Sequence, residues 1–490
     1  MRYVFIFGFA LALSLALMPG CSEENGEGGS GGTAGTGGTG GSAGNGGMAG
    51  TGGTAGTGGS GGMPECQGPE DCDDDEECTI NSCLEGMCEY TAAAEGTACA
   101  DGRGGCYGGL CNFVPVSVTF GTRELVFDWT TDRCEDLDLP DQPARFVRAA
   151  DGELVLFDGN APTYYVSRGT DFDSLVRGCD PPALVSADLQ APESYENWEW
   201  IWAVYRDGTN WHALIHNEFH DAVAPTCKVG DPSPSNPCWY NSITYAVSTN
   251  DARSFVKPMT PAHVVAPAPR VWTPPDTQAE YYYVEGYMNP SNMVRGPDDS
   301  YYALMSLFPE SGVDVRGTCA MRTDTLGDPA SWRAWDGSGF NLPLSSPYVT
   351  GSTAPLCEFL PSLERQSAGS LTYNSYIERY MHVNAWGLWV DGQTLICGFF
   401  FTLSTDLIHW SAIQLVARAD IGVNWGCDTS PGGPPILEPS QVGYPSIIDH
   451  VDSTTNFERP GRTPYLYYTR YNVGLDRDLV RVPLTFALEE

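Results

Sequence analysis

An apolar run that ends in a Ser/Thr-plus-Asp turn recurs down this chain, and the recurrence constrains the fold more than any other feature. The runs are Tyr164-Tyr165-Val166-Ser167 before Asp171-Phe172, Thr244-Tyr245-Ala246-Val247-Ser248 before Asp251 and Phe255, Cys319-Ala320-Met321-Arg322-Thr323-Asp324 before Trp332, and Phe400-Phe401-Thr402-Leu403-Ser404-Thr405-Asp406 before Trp410. A fifth is Tyr465-Leu466-Tyr467-Tyr468-Thr469-Arg470, and the centres at 166, 247, 321, 402 and 468 lie about 81, 74, 81 and 66 residues apart. Between them an Asp turn leads into an aromatic or apolar strand, as in Asp151-Gly152-Glu153-Leu154, Asp207-Gly208 before Trp211, Asp298-Asp299-Ser300-Tyr301-Tyr302 and Asp391-Gly392. Short aromatic and β-branched runs set off by Gly, Asp, Asn and Pro read as strands. A unit that cannot cover its own apolar faces needs neighbours on both sides, so five of them predict a closed ring, a five-bladed β-propeller over residues 114–490. The fold class is all-β, with the propeller preceded by a small disulfide-rich module and a Gly-rich disordered linker.

The segment ahead of that body has three parts. Residues 1–21 carry one positive charge near Met1-Arg2-Tyr3, an apolar stretch from Val4 to Met18, then Pro19-Gly20-Cys21, which reads as a signal peptide. The end of this stretch resembles a bacterial lipobox. The resemblance implies a lipid on Cys21 and an extracytoplasmic chain anchored to a bacterial membrane or cell surface; the alternative is an ordinary signal peptide with simple secretion. Residues 22–63 are mostly Gly, Thr, Ser and Ala, a composition that cannot bury a core and serves as a flexible spacer. Residues 64–113 hold Cys66, Cys72, Cys78, Cys83, Cys88, Cys99, Cys106 and Cys111, and so short a segment needs crosslinks in place of a core. Without a histidine or paired C-x-x-C knuckles the segment is a poor zinc site. Its Cys78–Cys83, Gly86-Met87-Cys88 and Gly96-Thr97-Ala98-Cys99 resemble short cysteine-rich repeats of extracellular matrix and surface proteins, which implies a spacer or adhesive role.

Seventeen cysteines divide into Cys21, eight in the module and eight between Cys134 and Cys427, so each even set can pair internally in an exported chain. Nearest-neighbour pairing in the body gives Cys134–Cys179, Cys227–Cys238, Cys319–Cys357 and Cys397–Cys427. The 25 basic against 62 acidic side chains leave a formal charge of −37, which excludes nucleic acid and anionic lipid as partners. The lipid anchor is then the sole expected membrane contact, and the body is expected to act as a monomer without cofactor or metal.

The D-G-aromatic and S-x-D-L-x-x-W turns, best kept in Ser404-Thr405-Asp406-Leu407-Ile408-His409-Trp410, resemble those of five-bladed glycosidase propellers of the arabinanase and fructosidase type. The likeness spans most of residues 120–475. Ser248–Phe255 is also similar to a degenerate sialidase Asp box, with Asn250 and Ala252 in place of its Asp and Gly. The resemblance implies carbohydrate as partner and a glycoside hydrolase acting on extracellular polysaccharide with two carboxyl groups, one to protonate the leaving oxygen and one to activate water or attack the sugar. The rival is a non-catalytic propeller that binds glycan or protein.

Candidate carboxyls are few. In Trp211–Asp221 a strand puts His212, His216, Glu218 and His220 on one face, and three of the seven histidines of the chain lie between 212 and 220. Glu218 is the candidate general acid, with His216 and His220 beside it to tune its proton or bind substrate. A zinc motif is absent, because Asn217 stands where H-E-x-x-H needs its Glu and residues four apart on a strand are roughly 13 Å distant. Asp141, in Leu139-Pro140-Asp141-Gln142-Pro143, matches the early first-blade aspartate base of the five-bladed families. Arg145 could hold a carboxylate of the protein or of a substrate. Glu285 is the third acid, placed to orient the other two, with Asn292 as a ligand for a sugar hydroxyl and Glu199 as its rival.

Overall fold

The computed structural model describes residues 66–74, 76–224, 227, 238–275, 283–310, 315–363, 369–390, 394–421 and 436–489. The expected signal peptide, Cys21 and the Gly-rich linker lie outside the described residues, as do Asp391-Gly392 and Cys427 of the expected Cys397–Cys427 pair.

The strands of residues 116–488 form mainly a four-stranded, a ten-stranded and a nine-stranded sheet, and the two larger ones each divide into two antiparallel blades at a parallel pairing, Cys238–Ser248 with Tyr283–Met288 and Gln414–Asp420 with Ile436–Ile448, which makes five blades in all. Blade one is Arg145–Arg148, Leu154–Phe157, Val166–Gly169 and Val176–Gly178; blade two is Trp198–Asp207, Asn210–His220, Cys238–Ser248 and Val264–Ala266. In blade three the inner strand is split into Tyr283–Met288 and Val294–Arg295, both paired to Tyr301–Phe308, with Gly317–Thr323 and Arg333–Ala334 outside them. Blade four is Ser370–Asn374, Arg379–Val390, Thr394–Ser404 and Gln414–Asp420. Blade five takes Ile436–Ile448, Tyr465–Tyr471 and Arg477–Leu488 from the end of the chain and Val116–Phe120 from the start of the body, with Phe120 opposite Leu484 and Val116 opposite Leu488. Because first and last segments share one sheet, opening the ring requires breaking a strand ladder.

The ring closes through five inter-blade cores. Phe157 and Val155 of blade one meet Trp200, Ile201 and Trp211 of blade two. Tyr245 and Leu214 meet Met305 and Tyr287 of blade three; Leu304 and Ala320 meet Leu371 and Trp410 of blade four; Phe399 and Phe401 meet Val442 and Leu466 of blade five. Phe146 and Leu154 meet Tyr467 and Ile448, which returns to blade one. Each blade is apolar on both faces, so no single blade is stable alone, and burial of each such side chain contributes roughly 1.5–3 kcal/mol.

The recurrent turns join the third strand to the fourth. Ser404 Oγ accepts the Leu407 N–H at 2.8 Å while Asp406 Oδ1 accepts the Ile408 and His409 N–H groups at 2.9 and 2.8 Å. Ser248 and Asn250 repeat this, with Ala252 N–H on Ser248 Oγ at 3.1 Å and Ser254 N–H on Asn250 Oδ1 at 3.1 Å. A short polar side chain thereby satisfies turn amides that no strand can reach. The fifth expected unit, centred on 468, is instead the second strand of blade five, and the third strand is Arg477–Leu488. That one-strand slip accounts for the short last spacing. Asp207-Gly208 closes a two-residue hairpin with Asp207 opposite Asn210, and Gly208 takes φ 60°, a conformation glycine adopts without penalty.

Disulfides join Cys134–Cys179, Cys227–Cys238 and Cys319–Cys357 in the body, as nearest-neighbour pairing expects. Contacts divide the cysteine-rich region between two units. One holds Cys66–Cys83 and Cys72–Cys88; the other, which continues into the propeller, holds Cys78–Cys106 and Cys99–Cys111. In the second unit the Tyr107 ring stacks on His409 at 3.9 Å and Arg379 donates to the Cys111 carbonyl at 2.9 Å. Among the described residues the groups with metal-ligand spacing consist of these crosslinked cysteines.

Candidate active site

Blade two supplies the first half of the site. Its second strand aligns Glu218 opposite Trp198 on one neighbour and Asn241 on the other, and His220 opposite Trp239. The strand alternation therefore delivers Glu218, His216 and His220 together, flanked by rings from both adjacent strands. His220 Nε2 donates to Glu218 Oε2 at 2.9 Å, and His216 Nε2 stands 3.7 Å from Glu218 Oε1 and 3.3 Å from Asn241 Oδ1. The His220 ring is held between Trp198 and Trp239, nearly parallel to both at 5.6 and 5.9 Å. His212 shares the face but lies roughly 20 Å further along the strand, bonded to the Tyr245 hydroxyl at 2.7 Å.

Burial pushes the Glu218 carboxyl up, but the His220 hydrogen bond and the two imidazoles outweigh it and hold the group below the ordinary glutamate range. Burial lowers His216, keeping its ring neutral near pH 7.

Asp141 comes from the segment that enters blade one, where its N–H is fixed on the Asp158 carbonyl at 3.2 Å. Its carboxylate accepts from the Arg477 guanidinium and from the Tyr444 hydroxyl, the latter at 3.1 Å. Burial raises the Asp141 carboxyl and the Glu218 charge raises it further; Arg477 and the Tyr444 hydroxyl oppose this, and the carboxyl stays above the ordinary aspartate range. The charge of Glu218 thus reaches Asp141, 77 positions earlier in sequence and on a different part of the ring.

Two strand irregularities build the wall between them. The ladder of Trp198–Asp207 slips at Trp202, and that of Ile436–Ile448 slips between Gly443 and Ser446, where Tyr444 takes φ 54°. A bulge re-aims a side chain, and a bulky residue at positive φ is rare enough to mark a functional position. The two re-aimed rings meet edge to face at 6.1 Å, and Trp202 also stands edge-on to His216 at 5.0 Å. A continuous set of contacts runs from Glu218 through His216, Trp202 and Tyr444 to Asp141 and Arg477. The rings of Trp198, Trp239, Tyr444 and Tyr471 at this cluster are half-buried, each leaving part of its surface open.

Glu285 sits one contact away. The inner strand of blade three runs parallel to blade two so closely that a Cβ on Gly286 would fall 2.1 Å from the Asn241 carbonyl oxygen, and Gly286 has φ 106°. Only glycine fits there. Asn241 donates to the Glu285 carbonyl at 3.1 Å while offering its own oxygen to His216, so Glu285 is tied by backbone to the Glu218 cluster. The Glu285 carboxylate accepts from Arg270 Nε at 3.0 Å; burial raises it and Arg270 opposes the rise. Glu199 is spent elsewhere, on Lys257 at 2.7 Å.

Arg145 and Asn292 do not join this cluster. Both line a small axial cavity to which each of the five blades contributes, with Val204, Ser370 and Ser446 among its walls. Both amide groups of Asn292 bond the Leu371 backbone, where they replace a strand pairing between blades three and four. Arg477, Tyr444 and Trp202 were not legible as site residues, because a bulge leaves no mark in the pattern of residue types.

The fold and the site define a five-bladed propeller with two carboxyls joined by a run of contacts through aromatic rings. The chain is similar in structure to an endo-arabinase from Bacteroides thetaiotaomicron (11% identity over 74% of this chain and 97% of that one, TM-score 0.40), and to a GH43_1 enzyme from Xanthomonas citri (13%, 71% and 89%, TM-score 0.37). It is also similar to an α-L-arabinanase from Cellvibrio cellulosa complexed with arabinohexaose (13%, 70% and 91%, TM-score 0.35). No family model and no curated protein sequence matches the chain.

Proposed function

We propose that this protein is an extracytoplasmic glycoside hydrolase, anchored through Cys21, that cleaves an extracellular polysaccharide of the arabinan kind with Glu218 as general acid and Asp141 as general base. The observation that carries the reading is the run of contacts from Glu218 through His216, Trp202 and Tyr444 to Asp141, set among half-buried aromatic residues. A sugar entering between them displaces water, and two carboxyls so placed do not both stay charged. Asp141 has a partner that cannot lose its proton, the Arg477 guanidinium. The partners of Glu218 are histidines, which can. In the free protein the histidines hold Glu218 low and burial holds Asp141 high, so Glu218 takes up its proton only once a bound sugar has displaced water, drawing it from a histidine partner. Glu218 passes it to the glycosidic oxygen as the C–O bond breaks, Asp141 takes one from the attacking water, and His220 stands at 2.9 Å to reprotonate Glu218. Trp198, Tyr444 and Trp239 offer faces to the sugar ring, and Glu285, with Arg270, fixes Asn241 and through it His216.

Glu218→Gln keeps the shape and the His220 hydrogen bond but removes the proton donor. Release of reducing ends from arabinan should fall roughly 10²–10⁴-fold, with thermal stability little changed. Unchanged hydrolysis would remove Glu218 from the chemistry, and binding of arabino-oligosaccharide with no hydrolysis by the wild type would make the protein a lectin-like binder.

A further inference from the structure

The axial cavity poses an electrostatic problem that the proposed chemistry does not use. Arg145, the first residue of the innermost strand of blade one, is 3% exposed. Its guanidinium donates to the Gly369 carbonyl at 3.2 Å and to Ser370 Oγ, Ser446 Oγ and the Ala144 carbonyl, each at 3.4 Å. All four partners are neutral, three stand beyond the usual hydrogen-bond distance, and Nε has no partner. Among the described residues no carboxylate lies in ion-pair range of Arg145, whereas Arg177, equally buried, has both Asp138 and Asp158. Burial accordingly weakens the hold of Arg145 on its proton, to about 9. A buried cation without a counter-charge costs several kcal/mol, and proteins remove that cost with a partner.

The cavity beside this guanidinium admits one water-sized particle, and it is walled by Ser370, Ser446, Asn292 and Asn456 with Phe146 and Phe457. Ser446 donates to the Ala144 carbonyl at 2.7 Å and each asparagine amide already donates to a backbone carbonyl, so the guanidinium N–H groups and the Ser370 hydroxyl are the least committed donors. Space for about one water-sized particle favours a monatomic anion over sulfate, phosphate or a carboxylate.

We propose that Arg145, with the Ser370 hydroxyl of blade four, binds a single-atom anion, chloride, on the propeller axis. The ion neutralises the buried guanidinium at the point where strands from three blades converge, and so fastens the ring.

The test uses the full chain, exchanged into sodium gluconate and titrated with sodium chloride or bromide at constant ionic strength. The unfolding temperature should rise with halide and saturate, and crystals grown in bromide should show an anomalous peak within about 3.5 Å of the Arg145 guanidinium. Arg145→Met should abolish the halide dependence. Should that variant not fold, Ser370→Ala reports instead by shifting the saturation to higher halide. Identical unfolding temperatures in gluconate and halide, or bromide peaks confined to the protein surface, would overturn the proposal.

Discussion

Replacing Arg477 by Met tests the electrostatic core of the site without touching either carboxyl. Asp141 would keep the Tyr444 hydroxyl at 3.1 Å but lose its cation inside a buried setting. Removing one member of a buried pair costs about 3–5 kcal/mol while the other stays charged. Asp141 can escape by taking a proton. Protonating an aspartate of unfolded-state pKa about 3.9 at pH 7 costs about 4 kcal/mol, and at pH 5 about 1.5 kcal/mol. In the variant the folded state then binds one proton more than the unfolded state, so its stability falls as pH rises, by about 1.4 kcal/mol per unit relative to wild type. Urea unfolding of both proteins at pH 5, 6 and 7 measures this directly. Loss of a contacting opposite charge should also raise the acidic limb of kcat/KM by about 1–3 pH units. A destabilisation that is the same at all three pH values would mean that Asp141 remains ionised without Arg477, and the account of the pair would be wrong.

Other consequences follow from the same reasoning. His450 is stacked between Phe172 and Tyr465 at 3.7 and 3.8 Å, and burial lowers it to about 4. Its folded-state value lies below the unfolded value of about 6.5, so stability is lost as pH falls from 6.5 to 4. After discounting for solvent around the ring the loss is roughly 1–2 kcal/mol, and His450→Phe should flatten that part of the stability profile. Arg177→Met strands Asp138 and Asp158, both fully buried, and should cost about 3–5 kcal/mol in unfolding experiments; adding Asp138→Asn and Asp158→Asn should restore much of it. Since the histidines hold Glu218 low in the free protein and a bound sugar raises it, the alkaline limb of kcat should lie at higher pH than that of kcat/KM; coincident limbs would count against Glu218 as the acid.

The propeller was legible because its turns are chemically local. A serine or asparagine that caps its own turn must be close in sequence, so Ser404–Trp410 and Ser248–Phe255 announce a third-to-fourth strand connection wherever they occur. Blade five lacks such a turn on its third strand, because its fourth strand comes from the other end of the body, and the repeat read there slipped by one strand. Glu218, His216 and His220 were legible for the same local reason, a two-residue alternation on a strand. The partners of Asp141 were not. Arg477 is 336 positions away, and Tyr444 reaches the site only because a bulge turns it. Arg145 and Asn292 have the residue types of sugar ligands, yet the ring consumes them at its axis, a distinction that depends on which way an inner strand faces.

The central claim is that Asp141 and Glu218 flank one glycosidic bond. The most direct measurement is a crystal structure of the Glu218→Gln protein soaked with an arabino-oligosaccharide. The glycosidic oxygen should lie within about 3 Å of the residue 218 side chain, with an Asp141 oxygen on the other side of the same sugar and a separation between the two carboxyl positions of about 5–10 Å. A sugar bound elsewhere on the ring, or the two side chains opening onto different surfaces, would contradict it.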